Sequence, residues 1–228
     1  MVQMRRNYQK LQVALTACAQ KNGHAVKLLA VSKMQPSEQI LACAQLGQTA
    51  FGENYVQEAI EKIQALASHM LEWHLIGPLQ SNKCKQAAEH FDWIQTVDRE
   101  KIVKGLSQHR PKHLTALNVL IQVNIDGEAA KSGCHPDHIA NLAKSIVNCP
   151  NLCLRGLMAI PDASHSQNGL AFTRMQKLFE QLQSNYPKLD TLSMGMSDDF
   201  PLAIAHGANL VRIGSALFGP RPVKKEYS

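Results

Sequence analysis

The chain has 228 residues, 45% hydrophobic and 18% charged, with a formal net charge of +6. That is an ordinary globular composition, large enough for one α/β barrel or two small domains, with no apolar stretch long enough to cross a bilayer. Met1-Val2-Gln3-Met4-Arg5-Arg6 lacks the apolar segment and cleavage site of a secretory signal. Cys18, Cys43, Cys84, Cys134, Cys149 and Cys153 form no CxxC pair, which argues against structural disulfides or zinc and suits a reducing cytoplasm. The basic residues are dispersed, apart from Lys224-Lys225 in a polar tail, and no basic stripe interleaved with aromatics marks a nucleic-acid surface. A small phosphorylated ligand suits this charge as well as a polyanion does.

Helical apolar spacing runs from Val2 to Ala19, and Asn22-Gly23 stops it. Eight short apolar runs follow, each leading into a helical pattern. They are Lys27 to Ser32, Thr49 to Gly52, Glu72 to Ile76, Trp93 to Val97, Asn118 to Ile125, Leu152 to Ile160, Thr191 to Met194 and Leu210 to Ile213. The helical patterns run from Pro36-Ser37 to Leu46, Asn54 to Met70, Ser81 toward His90, Arg99 to His109, Pro136 to Val147 and His165 to Ser184. After them come Ser197-Asp198-Asp199, capping a helix to His206, and a short terminal segment. Eight β-then-α units with no break in composition predict one domain over residues 1–228, a single (β/α)8 barrel with an extra N-terminal helix. A doubly wound open sheet is the alternative, but the first turn, Ser32-Lys33-Met34-Gln35-Pro36, has none of the glycines such a fold favours there. The polar loop Gly127 to Pro136 is long enough to act as a lid.

Barrel geometry gathers the polar candidates. Ligands of such barrels lie at the C-terminal ends of the strands, with phosphate commonly held by the loops after strands seven and eight. Those loops read Ser193-Met194-Gly195-Met196-Ser197-Asp198 and Val211-Arg212-Ile213-Gly214-Ser215-Ala216. Both combine glycine with a hydroxyl at a helix start, where free N–H groups favour an anion. Taken singly, Ser197 reads equally well as an N-cap, Gly214 as a strand end and Arg212 as half of an ion pair. Lys33 emerges from the first apolar run, and a partly neutral amine there can attack an aldehyde, although most strand-end lysines simply reach solvent. A lysine, a phosphate cradle and an inward arginine together describe a pyridoxal phosphate site.

Several long motifs, in order along nearly the whole chain, resemble the YggS-type pyridoxal phosphate homeostasis proteins. They are Leu28-Leu29-Ala30-Val31-Ser32-Lys33, the segment from Phe51 to Glu58, Trp73 to Lys83, Arg155 to Pro161, Ser193 to Asp199 and Val211 to Ser215. The resemblance implies a barrel like the N-terminal domain of alanine racemase, with pyridoxal phosphate on Lys33. It also implies that Ser197, Gly214 and Ser215 contact phosphate, that Arg212 approaches the ring nitrogen and that Asn54 lies near the cofactor. With Met194 from the strand-seven loop, these residues form the candidate cofactor-binding set. Met34 and Gln35 replace the Thr and Lys that often follow the lysine in the family.

Racemisation needs an acid/base group on each face of the cofactor plane, and the racemases of this type take the second from a tyrosine in a β-rich domain. The chain ends at Ser228, soon after strand eight, and an arginine at the ring nitrogen leaves the pyridine a weak electron sink. The expectation is a non-catalytic monomer that holds the cofactor as a reversible Schiff base and delivers it to apo-enzymes, with Lys131 a candidate second acceptor of the aldehyde. Two alternatives stay open: a small racemase or lyase using Tyr55 or His74 as second base, and a barrel for another phosphate ester with Lys33 as counter-ion. Glu53 can order Lys33 or Asn54, or cap the next helix.

Overall fold

A computed structural model of the chain describes residues 2–128, 131–162 and 169–219. Helix α1 (Val2–Asn22) precedes eight strands: β1 (Lys27–Val31), β2 (Ala50–Glu53), β3 (Glu72–Leu75), β4 (Trp93–Val97), β5 (Leu117–Gln122), β6 (Leu152–Met158), β7 (Thr191–Ser193) and β8 (Leu210–Ile213). Between and after them lie α2 (Ser37–Ala44), α3 (Val56–Ala65), α4 (Cys84–His90), α5 (Glu100–His109), α6 (Ile139–Val147), α7 (Leu170–Asn185), α8 (Phe200–Ala205) and α9 (Ser215–Phe218). The strands pair in parallel in the order β1 to β8, and β8 returns to β1 to close the barrel. Closure rests on four partners, Lys27 to Leu210 through Ala30 to Ile213.

Side chains alternate across each strand, and closure turns that alternation into two environments. Leu28, Ala30, Phe51, Leu75, Ile94, Val119, Val211 and Ile213 point outward and pack with the helices in the main core. Leu29, Ile76 and Leu210 fill part of the interior, and Trp93, Leu120 and Met158 fill another part. The same alternation sends Lys27, Ala50, Glu72 and His74 toward a cavity at the strand starts, and Val31, Asn54, Ile76 and Arg212 toward the strand ends. The polar candidates share a mouth because they share a parity.

Several boundaries move from those expected. Asn54 and Tyr55 stay outside α3, which starts at Val56 with Tyr55 extended. Strand β5 stops at Gln122, after which Val123 bridges Cys134. Ser197 is not at the helix cap: α8 begins at Phe200 with Asp199 in the N-cap position, and the Asp199 carboxylate accepts the Met196 N–H at 2.6 Å. The expected helix start at His165 lies outside the described residues, as does the Lys224-Lys225 tail. The polar loop is tied to β5 in its described residues, because Asn124 binds the carbonyls of Glu128 and Lys131 and the N–H of Gly127.

Gly77 lets the β3 exit pass close to Asn54. A Cβ there would lie 2.1 Å from the Asn54 carbonyl oxygen, inside any tolerable contact. Gly77→Ala is therefore expected to cost about 1–3 kcal/mol of stability, read from the urea midpoint.

Candidate functional site

Lys33, Asn54, Ser197, Arg212, Gly214 and Ser215 line one cleft of about 240 Å³ at the strand ends, with Val31, Ile76, Ile160, Met196 and Asp198. Met194 is not brought there. Its side chain is fully buried in the outer core, and Met196, two residues on, faces the cleft instead. A second cleft of about 300 Å³ shares Asn54, Ile76 and Ile160 with the first and reaches Lys131, Ser132 and Asp162. Gly214 sits against β1, where a Cβ would come 3.2 Å from the Val31 carbonyl oxygen, so the loop after β8 packs tightly against the strand that carries Lys33. From Gly214 the chain enters α9, whose first N–H groups have no intrahelical acceptor.

Arg212 is almost fully buried, and its bonds are to neutral groups: Nη1 donates to Ser193 Oγ at 2.8 Å and Nη2 to the Ala159 carbonyl at 2.8 Å. Among the described residues it forms no ion pair, which removes the ion-pair reading of this arginine. Burial pulls its pKa down to about 10, against the opposing charge of Asp199, and it remains a cation at neutral pH. An unpaired buried cation beside an open cleft favours a ligand bearing negative charge or a lone pair.

The bonds of Arg212 continue through the barrel with one polarity. Ser193 Oγ donates to Gln95 Oε1 at 2.7 Å, which leaves the Gln95 amide nitrogen to donate to His74 Nδ1 at 2.9 Å. His74 then carries its proton on Nε2, facing Glu72 at 2.8 Å. This tautomer is assigned from the network, the only arrangement in which each donor meets an acceptor. Both ring nitrogens of His74 are thus engaged, the ring stacks on Trp93 at 5.0 Å, and burial lowers its pKa despite Glu72. Tyr55 is 59% exposed and does not line the cleft. Lys131 binds Asp126, Glu128 and Asp162 at 3.2–3.3 Å, and those three carboxylates raise its pKa against a desolvation effect that is the largest opposing cause.

Behind the cleft lies a cluster that only Glu53 hinted at. Glu53 is fully buried, accepts from Ser32 Oγ at 2.6 Å and pairs with the Lys62 ammonium at 2.9 Å. Burial pushes the Glu53 carboxyl up, against the pull of Lys62 and Ser32. Lys62 also donates to the Ser32 carbonyl at 2.8 Å and to Glu58 at 2.7 Å. Glu58 and Lys62 are four residues apart on α3, a spacing that reads in sequence as a solvated surface pair. Here Lys62 is buried, and removing one partner from such a buried pair costs about 3–5 kcal/mol.

The alanine racemase N-terminal domain model matches residues 2–222, so the fold defines a racemase-type barrel. The pyridoxal phosphate homeostasis protein of Haemophilus influenzae is 56% identical over 214 residues, covering 90% of each chain. That of Escherichia coli K12 is 46% identical over 222 residues, covering 95% of this chain and 94% of its own. Among solved structures, PipY of Synechococcus elongatus with PLP bound matches at a TM-score of 0.83 and 34% identity, over 95% of this chain and 100% of that one. Alanine racemase from Bacillus anthracis shares the fold alone, with a TM-score of 0.65 and 17% identity over 99% of this chain and 57% of that one. The chain belongs to the alanine racemase N-terminal domain family and, within it, to the pyridoxal phosphate homeostasis proteins.

The buried neutral His74 makes stability depend on pH. Its folded pKa lies below the ordinary 6.5, so the unfolded chain binds more protons as pH falls, and the stability present above 6.5 is lost below it. The slope is at most about 1.4 kcal/mol per pH unit. His74→Gln is expected to flatten that part of the urea-midpoint profile between pH 7 and the lowered folded pKa.

Proposed function

We propose that this protein binds pyridoxal phosphate at the strand-end mouth, holds its aldehyde carbon on Lys33 as a reversible Schiff base, and serves cofactor homeostasis and delivery to apo-enzymes. One observation supports this most: a primary amine, a buried guanidinium and two glycine-and-hydroxyl loops converge on a single cleft. When bound, the cofactor supplies an aldehyde that a primary amine captures with loss of water and releases on hydrolysis. Lys33 is the amine. Ser197, Gly214 and Ser215 hold the phosphate, with the start of α9 contributing N–H groups. Arg212, held from behind by Ser193 and Ala159, would approach the pyridine nitrogen. Asn54, which lines both clefts, would lie near the cofactor. The names of the relatives and the PLP in the PipY structure agree with this ligand.

The same geometry supports binding without turnover. A ring nitrogen facing the Arg212 guanidinium would accept a hydrogen bond and gain no proton, which would leave the bound cofactor a weak electron sink. The two side chains considered as a second base are unsuited: Tyr55 faces solvent at the start of α3, and both nitrogens of His74 are engaged inside the barrel. Lys131 is a poor acceptor for the aldehyde, because three carboxylates favour its protonated, non-nucleophilic form. The protein acts as a single barrel in a reducing cytoplasm, in keeping with six cysteines that are all free.

Intact mass before and after borohydride reduction tests the covalent link. Wild type loaded with pyridoxal phosphate is expected to keep the added mass after reduction, Lys33→Ala is expected to lose it, and peptide mapping of Lys33→Ala should find no label on Lys131. No retained mass in wild type would end this reading. Turnover of any amino acid in a panel, abolished by Lys33→Ala, would replace it with an enzymatic one.

A further inference from the structure

The turn that carries Lys33 is gripped on both sides by one buried ion cluster. Before the lysine, the Ser32 carbonyl accepts from Lys62 Nζ at 2.8 Å and the Ser32 hydroxyl donates to Glu53 at 2.6 Å. After it, the Met34 N–H donates to Glu58 Oε1 at 2.6 Å, and that same oxygen accepts from Lys62 Nζ at 2.7 Å. Lys62 joins the two halves, since it also meets both oxygens of Glu53 at 2.9 and 3.0 Å. Met34 has a φ of 61°, the one positive value at a non-glycine among the described residues. A side chain with a Cβ disfavours that conformation, which persists only where surrounding contacts enforce it. Two contacts enforce it: the Gln35 N–H donates to the Ser32 carbonyl at 3.0 Å and closes the turn, and the Glu58 carboxylate holds the Met34 N–H inside it.

Strand parity keeps this cluster off the ligand. Ser32 and Glu53 alternate with Lys33 and Asn54, so they face α3 while their neighbours face the cleft, and none of Ser32, Glu53, Glu58 or Lys62 lines it. The cluster therefore acts through the backbone. We infer that Glu53, Glu58 and Lys62 are positioning residues that hold the Ser32-Lys33-Met34 turn in the strained form presenting the Lys33 amine to the cleft. This deepens the proposed function, because it rests on Lys33 being the anchoring amine.

Two measurements on the full chain test it. The first needs no cofactor: hydrogen exchange at the Met34 amide should be protected in wild type, exposed in Glu58→Ala and protected in Glu58→Gln, whose amide oxygen accepts the same N–H. Amides of the barrel strands should keep their protection in all three, which separates the clamp from global unfolding. The second is a pyridoxal phosphate titration followed by Schiff-base absorbance. Glu58→Ala is expected to weaken binding about tenfold, since loss of an enforced left-handed residue is worth that order. Adding Met34→Gly to Glu58→Ala should restore most of the loss, because glycine adopts that φ unaided. An unprotected Met34 amide in wild type, wild-type affinity in Glu58→Ala, or no rescue by Met34→Gly would each overturn the inference. A wild-type chain that forms no Schiff base would instead overturn the functional reading, and the clamp would then stand or fall on the exchange result.

Discussion

Closing eight parallel strands into a ring leaves room inside for only every second side chain, and this parity governs the site. Arg212 and Gly214 share a parity on β8 and its exit, as do Val31 and Lys33 on β1 and Asn54 after β2. A shift of one residue in any strand would exchange these groups for Val211, Ser32 or Glu53, which face the helices. The four-residue register between β1 and β8 brings the lysine-bearing strand beside the arginine-bearing one. The amine and the guanidinium therefore share a wall although nearly the whole chain separates them in sequence.

Within that frame a polar line runs between the apolar groups that fill the rest of the barrel interior. Glu72, His74, Gln95 and Ser193 form a continuous line of donors and acceptors that ends on Arg212. The line keeps a buried cation bonded without neutralising it. A carboxylate partner would have stabilised Arg212 more and left less of its charge for a ligand. On the proposed function, the ligand would meet a cation that the protein solvates with neutral groups.

The lysine is held by the opposite strategy, with full charges. Two carboxylates and an ammonium sit behind the β1–β2 wall and clasp a turn whose left-handed methionine costs about 1–2 kcal/mol. Desolvating those charges is offset by their mutual contacts, and on the positioning role inferred above they fix the backbone from which the Lys33 side chain is aimed.

Much of this was legible in the chain itself. Short apolar runs of four to nine residues, each followed by a helical pattern, specify a parallel α/β layout, and eight of them specify closure. Lys33, Arg212 and Gly214-Ser215 stand out because their chemistry and their strand-end positions coincide. Boundaries were less legible: Asn54 and Tyr55 read as helix, and Ser197 as a cap, because propensity cannot weigh the bonds that a neighbouring strand or Asp199 offers. Met194 belongs by sequence to the strand-seven loop, although parity directs its side chain outward. Lys62 and Glu58 were invisible as functional residues, since an i, i+4 pair on a helix looks the same whether its face meets water or a strand. Local pattern determined which residues end strands, because backbone geometry and side-chain period act within a few residues. Only the tertiary fold decided which of them meet, which charges are buried and which turn is strained, because those depend on contacts between segments that the sequence holds far apart.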